Sequence, residues 1–253
     1  MIYTVIADIS EFNAEKFLSA CECDNAEDDK KTGEISPLFS ACYSAPKIRG
    51  ELIEHIKSVS NERLKKERCG AYLLLSAIVK NMIGYMPDVV FSQNGKPSFG
   101  SKSEINFNLS HTTDFVAVSI SDVGSVGVDI EAEISSERAS RLESRFFSDL
   151  TINTRPIDVS YAFCKINEDG DIQLWSSGKD NFNEVILGDV KISRVNQTFS
   201  FGARWTLYEA SLKCNGGGFT SLPCLGMLLL EAKADTVQIL KGHGEFFVTT
   251  TSV

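Results

Sequence analysis

Two carboxylates lie one residue apart in the segment SVGVDIE, residues 125–131. Apolar and polar residues alternate in this segment, which predicts a strand with Asp129 and Glu131 on the same face. Two carboxylates held close together raise each other's pKa unless a cation lies between them. Such oxygen ligands suit Mg²⁺, which keeps some of its waters and shares phosphate oxygens with a substrate. The alternative is an exposed strand face that carries two solvated acids.

A second candidate pair lies on the segment RWTLYEASLK, residues 204–213, which predicts a short helix. Glu209 and Lys213 are four residues apart and therefore share one helix face. They could form a surface ion pair, which stabilises a protein by only about 0.5 kcal/mol. Alternatively, Glu209 is a third acid at the metal and Lys213 is a phosphate ligand. The spacing alone leaves both interpretations open.

His111 and Lys96 are candidate phosphate contacts. His111 follows Ser110 where a strand is predicted to end, and an imidazole can donate a hydrogen bond to a phosphate there. A structural or simply exposed histidine is the alternative, and a general base would need an acidic partner. Lys96 lies between Gly95 and Pro97 on a stiff turn that could hold its side chain in one place.

The pattern is helical from about Arg49 to Gly84. Within it, the segment ERLKKERCGAYLLLSAIVKNMIGY has a basic first half, which is expected to be exposed, and a mostly apolar second half. Its part from Tyr72 to Val79 is expected to enter the core. The cluster of Lys65, Lys66 and Arg68 is either a solvated face or a contact with an anion.

Strands are predicted around these candidate residues. FVAVSIS and SVGVDIE alternate and are expected to be joined by a tight turn at residues 122–125. AFCKINEDGDIQLW and EVILGDVKISRV predict hairpins at their Asp-Gly and Gly-Asp turns. Further strands are expected in MIYTVIADIS, DVVFS, INFNLS, CLGMLLLEA, VQILK and EFFVTTTSV, and a solvated loop is expected at residues 22–36.

Composition excludes several classes of protein. The 253 residues include 43% hydrophobic and 23% charged residues, as in folded globular proteins. The net charge of -9 disfavours nucleic-acid binding, which usually needs a basic surface. No apolar stretch is long enough to span a membrane, and the N-terminus does not resemble a signal peptide. Cys21 and Cys23 form a lone CxC without a second half of a zinc site, so the seven cysteines are expected to be reduced and the protein cytoplasmic.

Taken in order, four motifs resemble those of the 4'-phosphopantetheinyl transferases, specifically the surfactin-synthetase-activating type. The motifs are Gly95-Lys96-Pro97, Phe107-Asn108-Leu109-Ser110-His111, Gly127-Val128-Asp129-Ile130-Glu131, and Trp205 to Lys213 followed by Gly216-Gly217-Gly218. GAYLLL at residues 70–75 and RFFS at residues 145–148 also look like family sequence. The resemblance covers roughly residues 60–148 and 201–220.

The resemblance implies an α+β fold of two pseudo-symmetric α/β halves, each a small antiparallel sheet packed on a helix, with the active site in the cleft between them. The halves would be residues 1–122 and 123–253, which makes a monomer sufficient. Members of the family transfer the phosphopantetheine arm of coenzyme A to a serine of an apo acyl or peptidyl carrier protein, and 3',5'-adenosine bisphosphate leaves. No nucleic acid or membrane partner is expected.

The resemblance also implies roles for the candidate residues. Asp129, Glu131 and Glu209 would hold Mg²⁺ on the diphosphate, and Glu209 would be the general base. Lys213 and His111 would act as catalytic cations at the phosphates. The further coenzyme A contacts would be Lys96, Pro97, Ser110, Lys65 and Arg68.

Two departures from the family pattern leave alternatives open. The family usually has Lys where this chain has Tyr208, and Gly217 also stands where Lys is common. Arg204 or Arg194 is a candidate replacement for the cation that is missing at position 208. Residues 151–200 are strand-rich where relatives have a shorter, more helical connection. A degenerate relative that binds coenzyme A or a carrier protein without turnover is therefore an alternative, and an unrelated metal-dependent phosphohydrolase is a third.

Overall fold

The computed structural model describes residues 1–23, 42–43, 48, 50–93, 95–100, 103–147, 150–177, 182–195, 200–216 and 228–252. The helices are α1 (Ala14–Cys23), α2 (Gly50–Lys57), α3 (Glu62–Ile83), α4 (Ser136–Leu142), which continues into a π turn at Glu143–Phe147, and α5 (Phe201–Cys214). The strands are β1 (Ile2–Asp8), β2 (Cys42–Tyr43), β3 (Val89–Phe91), β4 (Pro97–Phe99), β5 (Asn106–Thr112), β6 (Phe115–Ser121), β7 (Val126–Ala132), β8 (Leu150–Pro156), β9 (Ser160–Ile166), β10 (Ile172–Ser177), β11 (Glu184–Leu187), β12 (Val190–Arg194), β13 (Leu228–Lys241) and β14 (Gly244–Ser252).

The first sheet has the strand order β2-β10-β9-β1-β6-β5, and α3 packs against β5 and β6. Its strands are antiparallel except for β1 and β9, which run parallel. The alternation of β6 directs Val116, Val118 and Ile120 into the core under α3, while Phe115 and Ala117 point to the opposite side. Because both faces of β6 are covered, the whole strand is buried.

The second sheet has the order β11-β12-β13-β14-β7, with β8 also paired to β13. Its ladders are antiparallel except for β8 with β13. The helix α5 packs on β7 and β14. A shared apolar cluster joins this sheet to the first, and its members include Ile2, Ile6, Phe115, Ala117, Val128, Ile130, Val237 and Val248.

The structure confirms both predicted hairpins, β9 with β10 and β11 with β12. The structure confirms an α+β fold with several small sheets: two have six strands and are antiparallel except for one parallel pair each, and β3 and β4 form a separate two-stranded sheet. The turn at residues 122–125 does not join paired strands: β6 already has β1 and β5 as neighbours, so β7 crosses to the second sheet. The strand-rich segment at residues 151–200 contributes to both six-stranded sheets, because β9 and β10 extend the first sheet and β11 and β12 extend the second.

Among the described helices, none has the length and apolar content needed to cross a bilayer. The loop predicted at residues 22–36 lies almost entirely outside the described residues, as does Gly217.

Candidate functional site

Three carboxylates from two distant segments meet at one edge of the second sheet. Asp129 and Glu131 extend from β7, and Glu209 extends from α5. One oxygen from each residue lies within 4.8 Å of the others. Asp129 is buried, with 1% of its surface exposed, whereas Glu131 and Glu209 are half-buried. The arrangement is a compact acidic cluster that remains open to solvent on one side.

Gly127 allows α5 to approach β7 closely enough to complete this cluster. A Cβ atom at Gly127 would lie 2.0 Å from the Ala210 carbonyl oxygen and 2.8 Å from the Cys214 backbone nitrogen. On the same face, one turn earlier, α5 is held to β14 by a hydrogen bond of 2.8 Å between the buried hydroxyls of Thr206 and Thr249. The glycine of the GVDIE motif therefore sets the distance between the helix and strand that carry the acids.

The two oxygens of Asp129 have different surroundings. Its Oδ1 accepts hydrogen bonds from the Ser110 hydroxyl at 2.9 Å and the Lys213 ammonium at 2.7 Å. Its Oδ2 is buried and has no hydrogen-bond partner among the described residues. A buried carboxylate oxygen without a partner is costly, so Oδ2 is suited to a cation that the three acids would share.

The electrostatics of the acidic cluster also fit a divalent ion. Burial, followed by the charge of Asp129, raises the pKa of Glu131 to about 7 and the pKa of Glu209 to about 8. If ionised, the three carboxylates keep a net negative charge beside the two nearby cations, Lys213 and Arg138, and a divalent cation would offset it. Because the donors are carboxylate oxygens, a hard ion such as Mg²⁺ or Mn²⁺ is favoured over softer metals.

Side chains of β5 satisfy the free edge of β7. Asn108 Oδ1 accepts a hydrogen bond from the Val128 backbone at 3.0 Å, and Ser110 Oγ accepts one from the Ile130 backbone at 3.2 Å. The two sheets therefore join edge to edge through side chains, on both sides of Asp129 along the strand. The role of Asn108 was not predicted from the sequence, although the i, i+2 spacing of Asn108 and Ser110 already places them on one strand face.

His111 points to the opposite face of β5 from Ser110 and contacts α3. Its Nδ1 lies 2.9 Å from Oε2 of Glu67, a buried acid whose Oε1 accepts a hydrogen bond of 2.8 Å from Arg63 Nε. Burial lowers the pKa of His111, and Glu67 acts in the opposite direction. Sequence reasoning missed Glu67 because it lies within a basic segment that was expected to be exposed.

Lys96 and Pro97 lie on the hairpin of β3 and β4. The turn requires a positive φ of 75° at Gly95, which glycine adopts without strain. The Lys96 ammonium donates a hydrogen bond to the Lys213 carbonyl oxygen at the end of α5, where the helix dipole favours a cation. Burial lowers the pKa of Lys96. Lys96 and Pro97 also line a cavity of about 220 Å³ that extends to Val126.

The two remaining predicted contacts lie on α3, outside the acidic cluster. The Lys65 ammonium forms an ion pair of 2.6 Å with exposed Glu62. Arg68 is half-buried, and its charge lowers the pKa of His111. Arg68 is therefore an electrostatic neighbour of His111, whereas Lys65 is engaged locally.

The ring of Tyr208 packs in an aromatic cluster beside Glu209. Tyr208 is 4% exposed, and its ring centroid lies 5.5 Å from that of Phe147 and 6.1 Å from that of Trp205. Burial, followed by the charge of Glu209, raises the pKa of its phenol. The residue that replaces the expected lysine thus contributes packing and no positive charge.

Neither arginine considered as a replacement cation faces the acidic cluster. Arg204 donates two hydrogen bonds, of 2.8 and 2.7 Å, to the carboxylate of Glu143. Arg194 lies 3.5 Å from Asp235 and stacks over Phe182. Among the described residues, Lys213 is the cation that contacts the acidic cluster directly.

Comparison with known proteins finds partial similarity to phosphopantetheinyl transferases. The chain is 38% identical over 55 residues, 22% of its length, to 4'-phosphopantetheinyl transferase AcpT from Escherichia coli O157:H7 and from Escherichia coli strain K12. It is 36% identical over 64 residues, 25% of its length, to the AcpT of Salmonella typhi. The matched region spans only 28% of the Escherichia coli proteins and 33% of the Salmonella protein. No family model matches the sequence.

Proposed function

We propose that this protein is a divalent-metal-dependent 4'-phosphopantetheinyl transferase that modifies a serine of an apo acyl or peptidyl carrier protein, with coenzyme A as the donor. The observation that carries the proposal is the acidic cluster of Asp129, Glu131 and Glu209, in which Asp129 Oδ2 has no hydrogen-bond partner among the described residues. Partial similarity to AcpT transferases supports the same reaction class.

The three acids would hold Mg²⁺. When bound, the ion would neutralise negative charge on the diphosphate of coenzyme A. Asp129 has a second task, because its Oδ1 accepts hydrogen bonds from Ser110 and Lys213 and so fixes both side chains at the edge of the cluster. Lys213 would provide a cation for a phosphate oxygen, which phosphoryl transfer generally needs.

Glu209 is the proposed general base. Its carboxylate would accept the proton of the carrier serine hydroxyl, directly or through a water. The serine oxygen would then form a bond to the phosphorus that carries the pantetheine arm. The bond between this phosphorus and the oxygen of the leaving 3',5'-adenosine bisphosphate would break.

The other predicted residues would bind coenzyme A. His111 and Ser110 would meet its phosphates, and Lys96 and Pro97 would border the nucleotide beside the 220 Å³ cavity. Lys65 and Arg68 would contact the 3'-phosphate. For Lys65, this requires its ion pair with Glu62 to open.

The proposed subclass, location and oligomeric state follow from the sequence resemblance. We place the protein in the surfactin-synthetase-activating subclass, as a cytoplasmic monomer whose two pseudo-symmetric halves meet near residue 122. Two structural features support the two halves: each six-stranded sheet carries one long helix, α3 or α5, and the chain changes sheets at residues 122–125. The exchange is not complete, because β9 and β10 of the second half return to the first sheet.

One assay tests the reaction. The protein is incubated with coenzyme A, Mg²⁺ and an apo carrier protein, and the carrier is weighed by mass spectrometry. A gain of one phosphopantetheine arm is expected for the wild type and for the control Glu133→Gln, an exposed acid close to the cluster. The gain should be lost in Asp129→Asn and Glu209→Gln.

Other outcomes of the same assay identify the competing functions. Coenzyme A binding without a mass gain on any carrier class would indicate a degenerate relative, which the aromatic packing of Tyr208 favours. Release of phosphate in the absence of a carrier would indicate a phosphohydrolase. Either result would contradict the transferase.

A further inference from the structure

A buried acid on α3 contacts one of the proposed phosphate ligands. Glu67 is 4% exposed, although most acidic residues lie at protein surfaces. Its Oε1 accepts a hydrogen bond from Arg63 at 2.8 Å, and its Oε2 lies 2.9 Å from His111 Nδ1. Both carboxylate oxygens therefore have partners, one on the same helix and one on β5.

The contact with Glu67 determines which ring nitrogen His111 can present to a ligand. An ionised carboxylate only accepts hydrogen bonds, so Nδ1 of His111 carries the hydrogen. Nε2 lies on the far side of the ring, and the His111 side chain remains 30% exposed while the Glu67 side chain is 6% exposed. Because Nδ1 faces Glu67, Nε2 is the ring nitrogen left to contact a ligand.

Glu67 also balances charge around His111. The cations Arg68 on α3 and Lys213 on α5 both disfavour the imidazolium form, as does burial. Glu67 is the group that favours it, and Arg63 binds the other oxygen of the same carboxylate. Without the charge of Glu67, His111 would face these two cations with no compensating anion among the residues that the structure describes.

We infer that Glu67 is a positioning residue, which holds His111 with Nδ1 toward α3 and Nε2 toward a bound phosphate of coenzyme A, and which compensates the charge of the imidazolium that binds this phosphate. The inference rests on the proposed function for the identity of the ligand. The Glu67–His111 pair itself can be tested without any ligand.

The first test is a proton NMR titration of the histidines. The chain has three histidines, so the His111 resonance can be assigned by its loss in His111→Gln. Glu67→Gln keeps the side-chain shape but removes its charge, and His111 is expected to titrate at a lower pH than in the wild type. The matched control is Glu62→Gln, which removes an exposed acid from the same helix and should leave the His111 titration unchanged. An unchanged titration in Glu67→Gln would overturn the inference.

The second test is calorimetric binding of coenzyme A in the presence of a chelator. At pH about 5.5, where a histidine can be charged, Glu67→Gln should bind coenzyme A about tenfold more weakly than the wild type. The reason is that His111 is then less often charged, so its charge-assisted hydrogen bond to the phosphate is lost. At pH about 8 the two proteins should bind equally. Comparing variant with wild type at each pH cancels the titration of coenzyme A itself.

The outcomes separate this inference from the proposed function. Equal weakening of Glu67→Gln at both pH values would indicate a purely structural role and overturn the inference. If the wild type binds no coenzyme A either with the chelator or with Mg²⁺ in its place, the proposed function fails together with the phosphate part of the inference. An unchanged His111 titration in Glu67→Gln, together with normal binding of coenzyme A, contradicts the positioning role of Glu67 and leaves the proposed function intact.

Discussion

Replacing Gly127 by alanine should separate the strand and the helix that carry the acidic cluster. The new Cβ would lie 2.0 Å from the Ala210 carbonyl oxygen, whereas ordinary contacts begin at 3.4 Å. The obstructing atom belongs to the helix backbone and cannot rotate away, so α5 must move by roughly 1.4 Å or the substituted strand must distort. Overpacking of this kind costs about 3 kcal/mol of unfolding free energy.

The same displacement should weaken metal binding, since Glu209 moves with α5 and Mg²⁺ tolerates little deviation in its ligand positions. Denaturant unfolding measures the first effect, and titration with Mn²⁺ followed by electron paramagnetic resonance measures the second. The control is Gly50→Ala at the start of α2, where a Cβ meets no atom within 4 Å. A Gly127→Ala protein with wild-type stability and wild-type metal affinity would refute the reasoning.

Three other perturbations test separate parts of the structure. Burial raises the pKa of Glu131 from 4.5 to about 7 and the pKa of Glu209 from 4.5 to about 8. The protons bound to these two acids therefore stabilise the metal-free protein fully below pH 4.5, and this stabilisation is lost as the pH rises to about 8. Mn²⁺ should therefore raise the melting temperature more at pH 8 than at pH 6; an equal rise would contradict this. Tyr208→Lys should lower the unfolding free energy by about 2 kcal/mol because it places an ammonium among aromatic rings, and unchanged denaturant unfolding would count against it. Asn108→Leu should cost about 1–3 kcal/mol and accelerate amide exchange at Val128, whereas wild-type exchange there would exclude the edge contact.

Local periodicity accounts for the parts of the site that were predictable. The period of two in a strand places Asp129 and Glu131 on one face, and the four-residue spacing in a helix aligns Glu209 with Lys213. The same alternation separates Ser110 from its neighbour His111, and the structure shows them on opposite faces of β5. Periodicity therefore predicts which side chains of one strand or helix point the same way, but it does not predict which other element they contact.

Long-range pairing accounts for what was missed. The turn predicted at residues 122–125 does lead from β6 to β7, but the alternating pattern did not show that β6 pairs with β1 and β5 while β7 pairs with β14. The parallel pairing of β9 with β1 joins segments about 157 residues apart, which no local pattern encodes. Glu67 and Asn108 are polar residues whose burial depends on partners from other elements, so their roles emerge only when those partners are known.

The most direct test of the central claim is the number of divalent ions bound per chain. Electron paramagnetic resonance with Mn²⁺ and coenzyme A should show one tightly bound ion in the wild type. Asp129→Asn, Glu131→Gln and Glu209→Gln should each lose it, while Glu133→Gln should retain it. A wild type that binds no ion, or single variants that all bind Mn²⁺ as tightly as the wild type, would contradict a shared metal site at these three carboxylates.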